Sequence, residues 1–210
     1  MPSPVPGNDW SRAAAIIESG GVVAFPTDTV FGLGCSIFTS QAIARILAIK
    51  GRSDDKGFPV LIASLEQAAA LVEVNPTFRA LAQVFWPGGL TIVAPALPSQ
   101  PTAILAPDGT IGLRIPGSAA VRRLIEAAGC PIVGTSANRT GERPVSDATS
   151  AFEEFGDDVD YVLTGQATGA APSTVVSVAH DLAQVLRVGA ILPAKLQETI
   201  PSLVSPDIQD

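Results

Sequence analysis

The stretch VVAFPTDTVFGLG, residues 22–34, marks the point where the chain passes from its first helix into a sheet. The segment before it, residues 9–19, has the apolar spacing of an amphipathic helix and ends at two glycines. The apolar run VVAFP predicts a short buried strand. Proline and glycine interrupt the remainder, PTDTVFGLG, which therefore predicts a loop whose Thr27, Asp28 and Thr29 offer polar groups after that strand.

Outward from this stretch, helices and strands alternate early in the chain, and strands cluster late. Helices are predicted in the segments SQAIARILAI, LEQAAALV, PTFRALAQVF, SAAVRRLIEAAG and SDATSAFEEFG. Strands are predicted in FPVLIAS, LTIVAP, IGLRIP, PIVGTS, YVLTG, STVVSV and QVLRVGA. This order predicts an α/β fold with a mixed, twisted sheet.

The domain organisation follows from the absence of repeats and low-complexity linkers in the sequence. We expect one domain over residues 9–192, which is long enough to bury a core. A flexible N-terminal arm over residues 1–8 would precede it, and a loosely held polar tail over residues 193–210 would follow it.

Composition limits the kind of partner. The 210 residues carry a formal net charge of -7 at pH 7, and 47% of them are hydrophobic. An acidic balance argues against the broad basic face that binds a nucleic-acid backbone. Local clusters of cationic residues are therefore more informative here than in a basic protein.

The compartment is predicted from cysteines and apolar runs. Cys35 and Cys130 lie far apart without a CxxC spacing, which favours reduced, structural cysteines of a cytosolic protein. The first residues, MPSPVPGND, lack a charged n-region and an apolar h-region, so we do not expect them to act as a signal peptide. Apolar runs stay well short of the ~20 residues of a membrane span. We expect a soluble cytoplasmic protein without membrane contact.

The single histidine, His180, makes histidine-based chemistry improbable. A zinc site or a Ser-His-Asp triad would depend on this residue alone, and its segment VAHDLAQ predicts a surface turn. Chemistry would then depend mostly on Lys, Arg, Ser, Thr and Asn side chains and on backbone amides.

Cationic residues concentrate at three places. The stretch AIKGRSDDKGF holds Lys50, Arg52 and Lys56 at a predicted helix exit, where the helix dipole favours a cation. Arg114 and Arg187 each lie inside an apolar strand. Such arginines either face solvent or bind an anion, and both alternatives remain open from the residues alone.

Two loops of small residues also follow or precede strands. GTSANRTGERP contains Ser136 and Asn138 two residues apart, and TGQATGAAPST comes just before a strand. Small residues let a ligand approach the backbone, although a plain strand-to-helix connection has a similar composition. Neither GxGxxG nor GxxxxGK[ST] occurs, so a nucleotide would be bound in another way.

The motifs together resemble a known family. VVAFPTDTVFGLG, KGRSDDKGFPVLIAS, WPGGLTIVAP, GLRIP, GTSANRTG, PST and LRVGAI occur in the order and at about the spacings of the YrdC-like family of threonylcarbamoyl-AMP synthases. The resemblance covers about residues 19–191 and is greatest for the short, single-domain TsaC type. It implies an open α/β twisted sheet with a concave cationic cavity.

The activity that the resemblance implies joins L-threonine, bicarbonate and ATP into L-threonylcarbamoyladenylate and pyrophosphate. The product would serve threonylcarbamoyl modification of the tRNA adenosine next to the anticodon, through downstream transfer proteins. Mg²⁺ is expected with ATP, and no tightly bound organic cofactor is expected. Direct RNA contact is a further possibility.

The resemblance also assigns roles to individual residues. Lys50 and Arg52 match a KxR element expected to be catalytic, and both this element and an SxN element would face the nucleotide phosphates. Nucleotide-binding positions are expected at Arg52, Lys56, Thr110, Ser136, Asn138, Ser146 and Arg187. Threonine-binding positions are expected at Thr29, Arg114 and Ser173, and no residue is assigned as a metal ligand.

Two departures from the family pattern bear on the site. Ser53 stands where relatives often have proline, and Leu61 lies near a position where some relatives have a substrate histidine.

Two alternatives to the synthase function stay open. One is a non-catalytic RNA-binding or ribosome-associated module, and the other is a related synthase with a different amino acid or acceptor.

Overall fold

The structure, a computed structural model, describes residues 6–51, 57–169 and 171–205. Within these residues the helices are α1 (Trp10–Glu18), α2 (Ser40–Lys50), α3 (Leu65–Leu71), α4 (Pro76–Phe85), α5 (Ala119–Ala127), α6 (Ala148–Phe155) and α7 (Pro193–Gln197), with a 3₁₀ helix at Thr102–Ile104. Five begin after a residue whose side-chain oxygen accepts a backbone N–H of the first turn, namely Asp9, Ser64, Asn75, Ser118 and Asp147. The predicted helices are confirmed, and α7 is additional.

The strands are β1 (Val23–Phe25), β2 (Gly32–Ser36), β3 (Val60–Leu61), β4 (Leu90–Pro95), β5 (Thr110–Arg114), β6 (Ile132–Ser136), β7 (Tyr161–Val162), β8 (Thr174–Ser177) and β9 (Gln184–Arg187). They form one sheet in the order β7-β1-β2-β6-β3-β5-β4-β8-β9. The pairs β1–β7, β3–β5 and β4–β8 are parallel, and the others are antiparallel. The mixed sheet predicted from the sequence is confirmed.

Two hydrophobic cores lie on opposite faces of the sheet. The larger core contains Ala24 and Leu33 of the sheet together with helices α2 and α4, and the smaller one contains Phe25 with α1 and α5. Because successive strand residues point to opposite faces, Ala24 and Phe25 enter different cores.

The same alternation of side chains places polar residues of β4 and β5 on one face of the sheet. Leu90 and Ile92 of β4 and Leu113 of β5 enter the larger core. Thr91 and Arg114 therefore point to the opposite face, which is the face that α1 and α5 cover farther along the sheet. This arrangement places polar and charged side chains on the sheet beside the smaller core.

The loop predicted over residues 26–34 is wrong for its last part, because β2 begins at Gly32. The glycines of β2 make room for the Phe25 ring of the neighbouring strand. A Cβ at Gly34 would lie 2.7 Å from Phe25 Cε1 and 2.6 Å from the Val133 carbonyl oxygen. Sequence rules for loops count such glycines as breakers, whereas here they allow close strand packing.

Gly34→Ala is expected to destabilise the protein by about 1–3 kcal/mol, because the added methyl group overpacks the sheet against Phe25 and Val133. Gly32→Ala is the matched control in the same strand, since its Cβ would come no closer than 3.4 Å to any neighbour. The control should stay within ~1 kcal/mol of the parent. Urea unfolding of both variants measures the difference, and equal stabilities would contradict the packing argument.

The tail from Pro193 is not loosely held over residues 193–205, so that expectation is wrong there. α7 begins at Pro193, Leu196 and Leu203 are buried in the larger core, and the Val204 N–H donates to the Ala183 carbonyl at 2.8 Å. These two leucines, set among polar residues, anchor the segment.

At the other end, the Gly7 N–H donates to the Val162 carbonyl at 3.0 Å. Residues 1–5 of the predicted arm lie outside the described residues, and the domain boundaries stay a prediction. Every helix in the described part of the chain falls short of the length and apolar character that a membrane span requires.

Candidate active site

A cavity of about 90 Å³ lies on the sheet face beside the smaller core, and we call it the first cavity. It is lined by Phe25, Thr27, Thr29, Val30, Gly32, Pro59, Leu61, Thr91, Arg114, Gly134, Thr135, Ser136, Pro172, Ser173 and Arg187. The charged residues among them are both arginines. Such a lining suits a small anion or a zwitterion with a carboxylate.

Arg114, the last residue of β5, is held by three partners. Its Nη1 donates to Thr29 Oγ1 at 2.8 Å, its Nη2 to Asp28 Oδ2 at 2.7 Å and its Nε to the Gly88 carbonyl at 2.8 Å. Arg114 is only 6% exposed, so these contacts fix the plane of the guanidinium.

Asp28 and Arg187 act on the charge of Arg114 in opposite directions. Burial lowers the pKa of the guanidinium, the charge of Asp28 opposes that shift, and the charge of Arg187 lowers the pKa further. Asp28 Oδ1 is buried and has no hydrogen-bond partner among the described residues. Two arginines that repel each other across one cavity are the expected surroundings of an anion.

Ser173 is held in the first cavity by Arg187 and Thr91. Arg187 donates to the Ser173 carbonyl from Nε at 3.2 Å and from Nη2 at 2.8 Å, and Nη2 also reaches Ser173 Oγ at 3.2 Å. The hydroxyls of Thr91 and Ser173 lie 2.9 Å apart. Gly189 lets the chain after β9 approach this segment, since a Cβ there would lie 2.2 Å from the Pro172 carbonyl oxygen.

Lys50 organises the loop after β6. Its Nζ lies 2.8 Å from the Ser136 carbonyl, 3.0 Å from the Asn138 carbonyl and 3.1 Å from Asn138 Oδ1. Ser136 Oγ donates to Asn138 Oδ1 at 2.6 Å, and Asn138 Nδ2 donates to the carbonyls of Arg139 and Glu142. These described contacts of Lys50 with Ser136 and Asn138 hold the SxN element in place.

A second cavity of about 300 Å³ adjoins the first and shares Pro59, Thr91 and Arg187 with it. Its other lining residues are Gly57, Phe58, Val93, Ile104, Ala106, Asp108, Thr110, Gly112, Val175, Ser177, His180, Gln184 and Leu186. Thr110 is tied to this wall, because its hydroxyl donates to Asp108 Oδ1 at 2.7 Å. Arg187 therefore lies between the first cavity and a second cavity whose wall mixes apolar residues with polar ones such as Asp108, Thr110 and Gln184.

The structure brings most of the predicted site residues together. Thr29, Arg114, Ser136, Ser173 and Arg187 line the first cavity, and Thr110 lines the second. Lys50 and Asn138 support the loop that carries Ser136.

Other predicted site residues are not joined to this cluster. Ser146 is exposed just before α6, where its hydroxyl donates to Asp147 Oδ2 at 3.2 Å, and it lines neither cavity. Arg52 and Lys56 lie outside the described residues. Their nucleotide-binding roles, and the cationic character of the whole cavity, stay predictions.

Four further residues at the site, namely Thr27, Asp28, Thr91 and Thr135, lie outside the positions to which the family motifs give a role. Thr27 and Asp28 lie in the same polar loop as Thr29, while Thr91 and Thr135 are buried polar residues of β4 and β6. A polar residue inside an apolar strand, the signal that singled out Arg114, was also present at Thr91.

Comparisons with known proteins identify a family and relatives for this chain. The Sua5/YciO/YrdC family model, described as "Telomere recombination", matches residues 15–189. Threonylcarbamoyl-AMP synthase of Nitrosococcus oceani is 38% identical over 154 residues, which are 73% of this chain and 83% of that protein. The Coxiella burnetii protein of the same name (strain RSA 493) is 36% identical over 156 residues, again 73% of this chain and 83% of that protein.

Two solved structures share the fold. P. abyssi Sua5 complexed with L-threonine has a TM-score of 0.89 at 31% identity, covering 96% of this chain and 61% of that one. E. coli YciO has a TM-score of 0.80 at 27% identity, covering 88% of this chain and 94% of that one. The match to P. abyssi Sua5 therefore spans about three fifths of the Sua5 chain.

Proposed function

The chain belongs to the Sua5/YciO/YrdC family, and we propose that it is a threonylcarbamoyl-AMP synthase. In this reaction the amine of L-threonine attacks the carbon of bicarbonate with loss of water. An oxygen of the resulting N-carboxylate attacks the α-phosphorus of ATP, and the bond to the β-phosphate breaks to release pyrophosphate. The observation that carries the proposal is the convergence of Thr29, Arg114, Ser173 and Arg187 in one cavity.

The first cavity is proposed to hold threonine. Among the described contacts, Arg114 uses three of its five N–H groups on Asp28, Thr29 and Gly88, which leaves two for a substrate carboxylate. The relative from P. abyssi, at 31% identity, was solved in complex with L-threonine, which supports this assignment.

The second cavity is proposed to hold the nucleotide, with Thr110 and Arg187 among its contacts. Since Arg187 lines both cavities, it lies where the N-carboxylate and the α-phosphate would meet. Phosphoryl and nucleotidyl transfer depend on positioning and on neutralising spreading negative charge. Cationic groups can therefore promote this reaction without a protein nucleophile. We propose that Arg52 and Lys56 supply further positive charge to the phosphates.

Mg²⁺ is proposed to enter with ATP. It usually keeps several waters and binds substrate phosphates together with one or two carboxylates. Among the described residues no group of three or more potential metal-ligating side chains is found. Among the described residues that line the second cavity, Asp108 is the carboxylate that would hold the ion there, where the metal would neutralise phosphate charge.

Partners beyond the small substrates are also proposals. The adenylate is a reactive mixed anhydride, so a transferase that accepts the threonylcarbamoyl group must follow. From the family we propose that the final acceptor is the tRNA adenosine next to the anticodon and that the protein works in the cytoplasm. The acidic net charge of -7 disfavours direct contact with RNA over an extended phosphate backbone.

The test is the substrate dependence of pyrophosphate release by the purified protein. We expect release from ATP only when L-threonine and bicarbonate are both present, with threonylcarbamoyl-AMP detected by mass spectrometry. Release that is independent of either compound would contradict the proposal. No release combined with tight, salt-sensitive RNA binding would favour the non-catalytic alternative, and a panel of amino acids would reveal a related synthase.

A further inference from the structure

The hydroxyls of Thr27 and Thr29 form part of a hydrogen-bond chain beneath the first cavity. Both residues are buried, with 8% and 3% of their surface exposed. Thr27 Oγ1 lies 2.6 Å from the Val30 carbonyl, 3.0 Å from the Thr29 N–H and 3.0 Å from Thr29 Oγ1. Thr29 Oγ1 also lies 2.8 Å from Nη1 of Arg114.

The direction of this chain follows from the number of protons on each group. A carbonyl oxygen only accepts, so Thr27 must donate its single hydroxyl proton to Val30. Thr27 Oγ1 is then an acceptor toward its other two partners, and in its contact with Thr29 the proton comes from Thr29. A guanidinium only donates, so Thr29 Oγ1 accepts from Arg114. The chain runs from Arg114 through Thr29 and Thr27 to Val30.

One lone pair of Thr29 Oγ1 is left for a ligand in the first cavity. With its proton directed at Thr27, Thr29 offers the cavity an acceptor rather than a donor. The neighbouring Arg114 offers only donors. An α-amino acid carries a carboxylate and an N–H donor on the same carbon, which matches this pair of groups.

We propose that Thr27 is a positioning residue that fixes Thr29 as a hydrogen-bond acceptor for the amino group of the substrate. Arg114 binds the carboxylate of the same substrate, and Thr27 determines the direction of the Thr29 hydroxyl proton. Thr27 thereby makes the first cavity selective for an amino acid over a carboxylic acid that lacks the amine. This inference rests on the proposed function, because it assumes that the first cavity binds the amino acid substrate.

The experiment compares the Kd of L-threonine with that of (R)-3-hydroxybutanoate, which keeps the carboxylate and hydroxyl but lacks the amine. NMR titrations give both constants for the parent and for Thr27→Ser, Thr27→Cys and Thr27→Val. Removing the acceptor for the Thr29 proton should lower the preference for threonine by about tenfold in Thr27→Val. Thr27→Ser should keep the preference within about twofold, and the weakly accepting thiol of Thr27→Cys should fall between them.

The ratio of the two constants separates positioning from general structural damage. Damage to the cavity weakens both ligands alike and leaves the ratio unchanged, and that result would overturn the inference. The preference for threonine should decrease in the order Thr27→Ser, Thr27→Cys, Thr27→Val, and any two of these variants that fold suffice to test this order. Failure of the parent to bind threonine would instead count against the proposed function.

Discussion

Arg114→Ala is expected to raise the KM for L-threonine in pyrophosphate release by about 100-fold, with a smaller effect on the KM for ATP. The variant removes the cation proposed to bind the substrate carboxylate and leaves Asp28, its partner at 2.7 Å, without its counter-charge. Steady-state assays with each substrate varied in turn measure both constants.

A second variant separates recognition from folding. Arg114→Lys keeps a positive charge beside Asp28 but lacks the planar fork, so threonine KM should still rise by about tenfold while stability is largely retained. Arg123→Ala, an exposed arginine whose Nε contacts the Ala119 carbonyl on α5, is the matched control and should behave as the parent. A threonine KM within twofold of the parent in Arg114→Ala would remove Arg114 from the site.

Arg187→Ala is expected to lower kcat by about 100-fold, because a preorganised cation is lost where charge develops at the α-phosphate. The side chain lines both cavities and holds the Ser173 carbonyl, so threonine KM should also rise, but by less than tenfold. Single-turnover formation of the adenylate at saturating substrates isolates this effect from binding.

The matched controls for this prediction are Arg187→Lys and Arg79→Ala. Lysine keeps the charge between the cavities and should recover part of the lost rate. Arg79 is exposed on α4, outside both cavities, and its replacement should leave kcat unchanged. If Arg187→Ala and Arg79→Ala retained equal kcat, the proposed meeting point of the two substrates would be wrong.

Much of the local structure could be predicted from the sequence. Helix α4 begins after Asn75 and contains Pro76 at its start, and both residue types favour a helix N-terminus wherever the helix packs. Strand β4 follows from an apolar run bounded by Gly89 and a proline-rich loop. Strand β2 was not predicted, because its glycines are needed to make room for the Phe25 ring. That ring comes close only when β1 pairs with β2.

The candidate site was only partly predictable for the same reason. Arg114 and Arg187 could be singled out because a charge within an apolar strand needs solvent or a partner. The partner of Arg114 is Asp28, and this pairing could not be predicted because the two residues are 86 positions apart in the chain. Lys50 was expected to face nucleotide phosphates, whereas its described contacts are to the loop carrying Ser136 and Asn138.

Helices α1 to α6, most strands, the mixed sheet and the ordered motifs of the family could be predicted from the sequence, because periodicity, caps and turn residues act over a few neighbours. The cavity that is lined by Thr29, Arg114, Ser173 and Arg187 exists only in the folded chain. The strand order sets side by side segments that are far apart in the chain. The same holds for the direction of the Thr29 hydroxyl, which depends on the distances among Thr27, Val30 and Arg114.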